Sequence, residues 1–253
     1  SALQRIPTAR PCYLLYVNAA PQSDLLLVLS GAGLSAASGV PTFRDKNGLW
    51  EGHEVTDVAT PEAWFRDPEL VRRFYNERRI ACQDTEPNAG HRALAALQAS
   101  LGSERVILVT QNIDGLLQKA GCLNVIEMHG SLWKLRCEAS SEHPRIQFSG
   151  EQTGAESCTI CAAAMRPDVV WFGEQPYFMA SIIEALSRCG TFWSVGTSGL
   201  VYPAAGFVRQ ASAMGAVCLE VNPNPLGGFF HRVVAENAET ALPRLAKAWL
   251  DQS

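Results

Sequence analysis

The sequence has no excess of basic charge: 21 Lys and Arg stand against 25 Asp and Glu, for a formal net charge of -4. Proteins that hold duplex nucleic acid do so largely by releasing counterions onto clustered cations, so nucleic acid is not an expected partner. Long apolar runs are missing too. The strongest one near the N-terminus, Asp24 to Gly33, is far shorter than a bilayer-crossing helix, so no membrane is expected either. There is no internal repeat and no low-complexity block. With 47% hydrophobic residues in a chain of 253, one sizeable buried core is within reach, and disorder is excluded. Of the eight cysteines only Cys158 and Cys161 form a tight pair, unlike the even distribution of a disulfide framework. That pattern suits a reducing compartment, so the expected location is the cytoplasm. Residues 1–23 contain Arg5 and Arg10 and no acid, which makes the mitochondrion the alternative.

What is present is a set of short apolar runs separated by helical patterns. Leu25 to Leu29, Arg105 to Thr110, Phe192 to Gly196 and Ala216 to Val221 read as fully buried strands. Helical spacing follows at residues 88–101, 113–121, 179–189, 203–214 and 240–250. The alternation implies a parallel sheet with helices on both faces. Two segments break the rhythm. Arg44 to Pro87 has no strand-like run, and its residues 61–82 are spaced as helix. Trp133 to Asp168 is rich in Cys, Ser and Gly and too poor in large apolar residues to pack a core without a staple.

The first strand runs into Gly31-Ala32-Gly33-Leu34-Ser35-Ala36, a G-x-G-x-x-A turn of the kind that brings backbone close to a pyrophosphate where a helix begins. A dehydrogenase would continue to a second strand ending in an acid; Gly39 to Asp45 shows none, which argues against hydride transfer. Gln111-Asn112-Ile113-Asp114 follows the strand RVILVT, at the end of a parallel sheet where such folds place ligands. Any one of these residues could simply belong to a polar loop whose Asp114 caps the next helix. His129 ends another short apolar run, and a lone histidine is more often structural. Together with the amide loop and the glycine turn, it reads as part of a site.

In these segments the chain resembles the sirtuins, the NAD-dependent protein lysine deacylases. The matching stretches are GAGLSAASGVPTFR, QNIDGL, HGSLWKLRC, RPDVVWFGE and GTSGLVYPAAG, in order over nearly the whole chain. The resemblance implies a Rossmann-type NAD-binding domain from 1–43, 88–130 and 174–253. It implies a small domain built from the helical insertion 44–87 and the cysteine-containing, zinc-ribbon-like insertion 131–173. It also implies that Gly31, Ala32, Gly33, Gly196, Thr197, Ser198 and Asn222 face the adenosine and phosphates of NAD, with Ala238 offering a backbone contact to adenine. Ala36, Phe43 and Arg44 would lie by the nicotinamide ribose. Gln111, Asn112, Ile113 and Asp114 would line the nicotinamide pocket, Asn112 and Asp114 with catalytic roles, and His129 would be the general base. Val170, Phe172 and Gly173 would form one wall of a cleft where an extended acyl-lysine peptide adds as a strand, the loop 199–202 forming the other.

Three further features refine that expectation. Cys137-x2-Ser140-x17-Cys158-x2-Cys161 has the spacing of a four-cysteine zinc site with serine in the second position. Zinc is expected as a structural ion on Cys137, Cys158 and Cys161, with His143 or water completing the set; the alternative is three reduced thiols without metal. Tyr75 and Arg78 lie one helical turn apart, and spacing alone would make them exposed residues of a charged helix. The Y-x-x-R pair, with Ala59 upstream, resembles the sirtuin branch that removes succinyl, malonyl and glutaryl groups. That implies a preference for acidic acyl groups with deacetylation retained. Asn224 departs from the acidic residue of the family pattern. Mono-ADP-ribosyl transfer and an NAD sensor without turnover remain the competing functions.

Overall fold

The apolar run LLVLS forms strand β1 (Leu26–Ser30), buried along its whole length, in the computed structural model of the chain, which describes residues 23–41, 49–50 and 53–252. The other strands are β2 (Leu49–Trp50), β3 (His53–Glu54), β4 (Val106–Thr110), β5 (Ile126–Glu127), β6 (Gly130–Cys137), β7 (Ile146–Gln147), β8 (Met165–Val169), β9 (Thr191–Val195), β10 (Val217–Val221) and β11 (Arg232–Val234). The helices are α1 (Val55–Val58), α2 (Pro61–Arg66), α3 (Pro68–Gln83), α4 (Ala89–Leu101), α5 (Leu116–Lys119), α6 (Met179–Arg188), α7 (Phe207–Ala213) and α8 (Ala238–Leu250). Six strands pair in the order β11-β10-β9-β1-β4-β5, and every pairing is parallel. With β1 central and the chain winding outward on either side, this is the doubly wound Rossmann topology.

Alternate residues of a strand face opposite sides, so a strand buried on both faces must be apolar throughout. Leu26 and Val28 pack with Leu94 and Leu97 of α4 and Leu242 of α8, while Leu27 and Leu29 pack with Ile182 and Leu186 of α6 and Phe207 of α7. Helices therefore cover both faces of the sheet, as the alternation of runs implies.

A second, antiparallel sheet of order β7-β6-β8 lies in the cysteine-containing segment. Between it and the helical segment is a separate core of Val58, Trp64, Val71, Phe74, Tyr75, Leu132, Val169 and Trp171. The segment 61–82 splits into two helices at Asp67. Pro68 takes the first position of α3, where its missing N–H costs nothing, and the Asp67 side chain accepts from the N–H of Leu70.

Local structure departs from the sequence reading elsewhere as well. Beyond Arg44 two-residue strands do occur, β2 pairing with β3. The run after Pro167 is strand only to Val169; residues 172–173 are turn, because the Glu174 side chain accepts from the N–H of Trp171 at 2.9 Å and folds the chain back. After Gly31 the chain enters two short 3-10 turns, Ala32–Leu34 and Ala36–Ser38, and not an α-helix.

Candidate active site

Because Ser30 is in register with Thr110 on one side and Val195 on the other, the turns beginning at Gly31, Gln111 and Gly196 leave the sheet side by side. This is the switch point where the strand order reverses and a crevice must open. The turns are tied together: Gly31 N–H donates to Val195 O and Gly33 N–H to Gly196 O, both at 2.9 Å. A Cβ on Gly33 would stand 2.7 Å from the Gly196 Cα, and Gly196 itself has φ +62, so glycine is required by this close approach. Ser194 and Thr197 share a hydroxyl contact of 2.9 Å, and the Asn222 amide donates to Thr197 O at 2.8 Å while its oxygen accepts from Asn224 N–H. Asn222 thus braces the loop that carries Thr197 and Ser198. Ala36 is exposed at the rim, and the Ala238 side chain is buried in the core at the start of α8, leaving only its backbone to meet a ligand. Phe43 and Arg44 lie outside the described residues.

Asn112 donates through Nδ2 to Gly31 O at 3.0 Å and to Ser35 Oγ at 3.2 Å. Asp114 is buried; it accepts from Ser35 Oγ at 2.6 Å and from Leu116 N–H at 2.9 Å, while its carbonyl accepts from the Trp133 indole at 2.7 Å. Burial outweighs these bonds and raises the carboxyl above its ordinary range. Behind them sits His91, whose Nδ1 accepts from Asn88 N–H at 3.2 Å in the capping box of α4. The remaining proton is therefore on Nε2, which faces Ser35 Oγ at 3.3 Å. A buried chain results in which His91 donates to Ser35 and Ser35 to Asp114.

Burial pushes His91 from 6.5 down to about 4, so the folded protein binds this proton less readily than the unfolded chain. Stability from this group is complete above about pH 6.5 and is lost as pH falls toward 4, by about 3 kcal/mol at the low end. Urea unfolding at pH 7 and pH 5 should show the loss in the parent protein, and His91→Gln should flatten it.

His129 is half-buried just past β5, beside the same turns. Its Nδ1 lies 3.1 Å from Gln111 O, a carbonyl that can only accept, so Nδ1 carries the hydrogen and Nε2 holds a free lone pair. Burial lowers its pKa below the ordinary histidine value, which keeps the ring neutral and basic at neutral pH.

On α3, Tyr75 is fully buried and Arg78 is 6% exposed. The Arg78 guanidinium lies over the Phe74 ring at 3.2 Å and donates to Phe74 O. Tyr75 Oη accepts from the Trp171 indole at 2.9 Å, and burial holds the phenol protonated. Ala59 O accepts from the Phe172 N–H at 3.0 Å, so the helical segment is bonded to the turn that carries Val170, Phe172 and Gly173. Phe172 and Gly173 are exposed there, and the His129 carbonyl accepts from Val170 N–H at 2.9 Å. One turn thus links the histidine to the tyrosine–arginine helix.

Residues 31–203 match the Sir2 family. The chain belongs to the Sir2 family. It is 48% identical over 241 residues to the NAD-dependent protein deacylase of Shigella flexneri, covering 93% of this chain and 87% of that one. It is 46% identical over 238 residues to the NAD-dependent protein deacylase SIR2rp3 of Trypanosoma brucei brucei, covering 91% of this chain and 95% of that one. Among solved structures, a Sir2 homologue–NAD complex superposes with a TM-score of 0.81 at 33% identity, covering 92% of this chain and 91% of that one. A Sir2 homologue mutant bound to ADP-ribose gives 0.82 at 32%, covering 92% and 94%. The protein is accordingly an NAD-dependent protein deacylase. The switch-point residues fit NAD: the missing Cβ atoms of Gly31, Gly33 and Gly196 let the two turns pack directly against each other at the end of the sheet, where hydroxyls and amides of Ser35, Asn112, Thr197 and Asn222 gather.

The cysteine module of this Sir2-family chain also fits its metal. Ligand atoms of Cys137, His143, Cys158 and Cys161 all lie within 4.8 Å of one another. The pairs Cys137–Cys161, Cys158–His143 and Cys161–His143 are separated by 3.6, 3.4 and 3.5 Å. Those are the edge lengths that a tetrahedral zinc with sulfur and nitrogen ligands requires. The Ile160 N–H donates to Cys158 Sγ and holds that thiol below its ordinary pKa. Ser140 instead turns into its own loop, accepting from Glu142 N–H at 3.2 Å. These three cysteines and His143 would hold a structural zinc. Metal analysis should find about one equivalent; His143→Ala should weaken zinc at least ~10-fold in chelator competition, and Ser140→Ala should leave it unchanged.

Two groups of this Sir2-family site escaped sequence reasoning. Ser35 was visible within the glycine turn and His91 within the helix-capping pattern Asn88-x-x-His91, but nothing in either pattern couples them to Asp114. Arg166 and Glu174, which hold the turn at Trp171, stand at the two ends of the matching stretch RPDVVWFGE, but nothing in that stretch shows that they pair.

Proposed function

We propose that this deacylase prefers acidic acyl groups of the succinyl and malonyl type on protein lysines and also removes acetyl, giving nicotinamide and an O-acyl-ADP-ribose. The observation that carries this reading is a buried cation, Arg78, one helical turn from a buried neutral phenol, Tyr75, on α3. A carboxylate entering an apolar channel loses water at a cost of several kcal/mol unless a hydrogen-bonded counter-charge meets it. Arg78 supplies charge and a fork of donors, and Tyr75 adds a donor without further charge. Ala59 keeps the channel wall small.

NAD, when bound, would supply an electrophilic ribose carbon for the acyl-amide oxygen, with nicotinamide as the leaving group. Gly31, Ala32, Gly33, Gly196, Thr197, Ser198, Asn222 and Ala238 hold the adenosine and phosphate end in this reading, with Ala36, Phe43 and Arg44 at the ribose. Gln111, Asn112, Ile113 and Asp114 orient the nicotinamide amide. His129 Nε2 takes the proton that must leave the ribose hydroxyls, and the Nδ1–Gln111 bond aims it. Val170, Phe172 and Gly173 pair with the peptide backbone, so sequence around the lysine matters little. The separate six-stranded parallel and three-stranded antiparallel sheets support a division into an NAD-binding domain (1–43, 88–130, 174–253) and a small domain (44–87, 131–173). Cys122, Cys137, Cys158, Cys161, Cys189 and Cys218 are free thiols, in keeping with the cytoplasm, and among the described residues no helix is long and apolar enough to cross a membrane.

The test is incubation with NAD and matched acetyl- and succinyl-lysine peptides, with mass spectrometry of peptide and nucleotide products. A higher kcat/KM for succinyl-lysine and a succinylated ADP-ribose product are expected; equal or lower rates would remove the preference.

A further inference from the structure

Trp171 is 2% exposed and fixed from every side. The Arg166 guanidinium lies 3.3 Å from the centre of its ring, and the Trp64 ring is 5.9 Å away on a tilted plane. Its backbone N–H donates to Glu174 Oε2, and that carboxylate receives Arg166 at 2.8 and 2.9 Å and Arg136 at 3.0 Å. An indole has a single polar hydrogen, and this one donates to Tyr75 Oη at 2.9 Å. Trp64 cannot replace it, because its own indole N–H donates to Glu138 Oε2 at 2.9 Å.

We propose that Trp171 is a specificity-determining positioning residue, whose indole N–H sets the direction of the Tyr75 hydroxyl and so commits the phenol to donate toward the acyl group. This rests on the acidic-acyl reading above. A phenolic O–H prefers the plane of its ring and has two orientations there. A donor N–H on one side of the oxygen repels the hydrogen from that side, so the O–H takes the other. Tyr75 then meets an incoming acyl end as a donor with its orientation already fixed, and no rotor has to be ordered on binding. A carboxylate, which only accepts, is matched to that donor; an acetyl group has no second acceptor to offer. The bidentate Arg166–Glu174 pair stands behind the indole, so the geometry is built into the turn that carries the substrate wall.

The test is a double-mutant cycle of W171F, Y75F and the pair, assayed with succinyl- and acetyl-lysine peptides at saturating NAD. W171F should lower the succinyl-over-acetyl ratio of kcat/KM about fivefold, mostly through KM, as expected for one neutral hydrogen bond. In the Y75F background the same substitution should change the ratio by less than about twofold, because the hydroxyl it orients is gone. Equal effects in both backgrounds would show that Trp171 acts by packing alone and would overturn the proposal. If W171F does not fold, β-(3-benzothienyl)alanine at position 171 removes the N–H while keeping the ring's shape; it should reproduce the fivefold loss, and a retained ratio would overturn the proposal. Arg78→Met assayed in parallel separates the two levels. A ratio insensitive to Arg78 removes the acidic-acyl reading and this inference with it, whereas a ratio sensitive to Arg78 with additive Trp171 and Tyr75 effects removes this inference alone.

Discussion

Replacing His129 with alanine is expected to lower turnover by about 10²–10⁴-fold while NAD still binds, the range for loss of a positioned general base. The side chain makes one described hydrogen bond, from Nδ1 to Gln111 O, whereas the turn at Val170 is held by the His129 main-chain carbonyl, which alanine keeps. The glycine turns and the Asn112–Ser35–Asp114 cluster do not depend on the imidazole. Calorimetric NAD affinity should therefore stay close to that of the parent as the rate collapses. In the parent, kcat/KM should fall as pH drops and Nε2 becomes protonated. Burial lowers the imidazole pKa, so the midpoint of that limb should lie below 6.5. If affinity and rate fell together, the residue would be structural and the assignment would be withdrawn.

The parts of this molecule that were legible in the sequence are those in which one segment decides its own state. The apolar runs of β1, β4, β9 and β10 are long enough to be buried on both faces, and each forms a strand within a residue of its expected place. Asn88, where the expected helical pattern begins, caps α4 through bonds made inside its own turn. The rest depends on partners far along the chain. The run VVWF reads as strand by composition, yet Glu174 and the two arginines that hold it turn the chain at Trp171. A G-x-G-x-x-A turn ordinarily opens an α-helix; here Ser35 is claimed by Asn112 and Asp114, and the backbone closes into 3-10 turns. The cysteine spacing implies three ligands, but the choice between His143 and Ser140 is made by the loop joining them, which directs the imidazole toward Cys158 and Cys161.

Arg78→Met is expected to reduce kcat/KM for succinyl-lysine by roughly 2–5 kcal/mol of transition-state stabilisation, the range for removing one partner of a buried charge pair. Much of that loss is the cost of leaving the acyl carboxylate desolvated and unpaired. Tyr75→Phe should cost less, about 1–2 kcal/mol, since only a hydrogen bond disappears. Acetyl-lysine brings no carboxylate and should lose far less, so the ratio of the two activities is the quantity to measure. The helix itself is anchored by other residues. Asn76 exchanges hydrogen bonds with the backbone of Gln152, and Arg79 donates to Leu132 O and Gly150 O, which pins the neighbouring face of α3 to the cysteine module. Methionine at position 78 keeps a flexible apolar side chain over Phe74, so these anchors should hold α3 in place. A fall of both reactions by the same factor would mean that Arg78 holds up the channel wall, and the preference for acidic acyl groups would then have to come from elsewhere in the cleft.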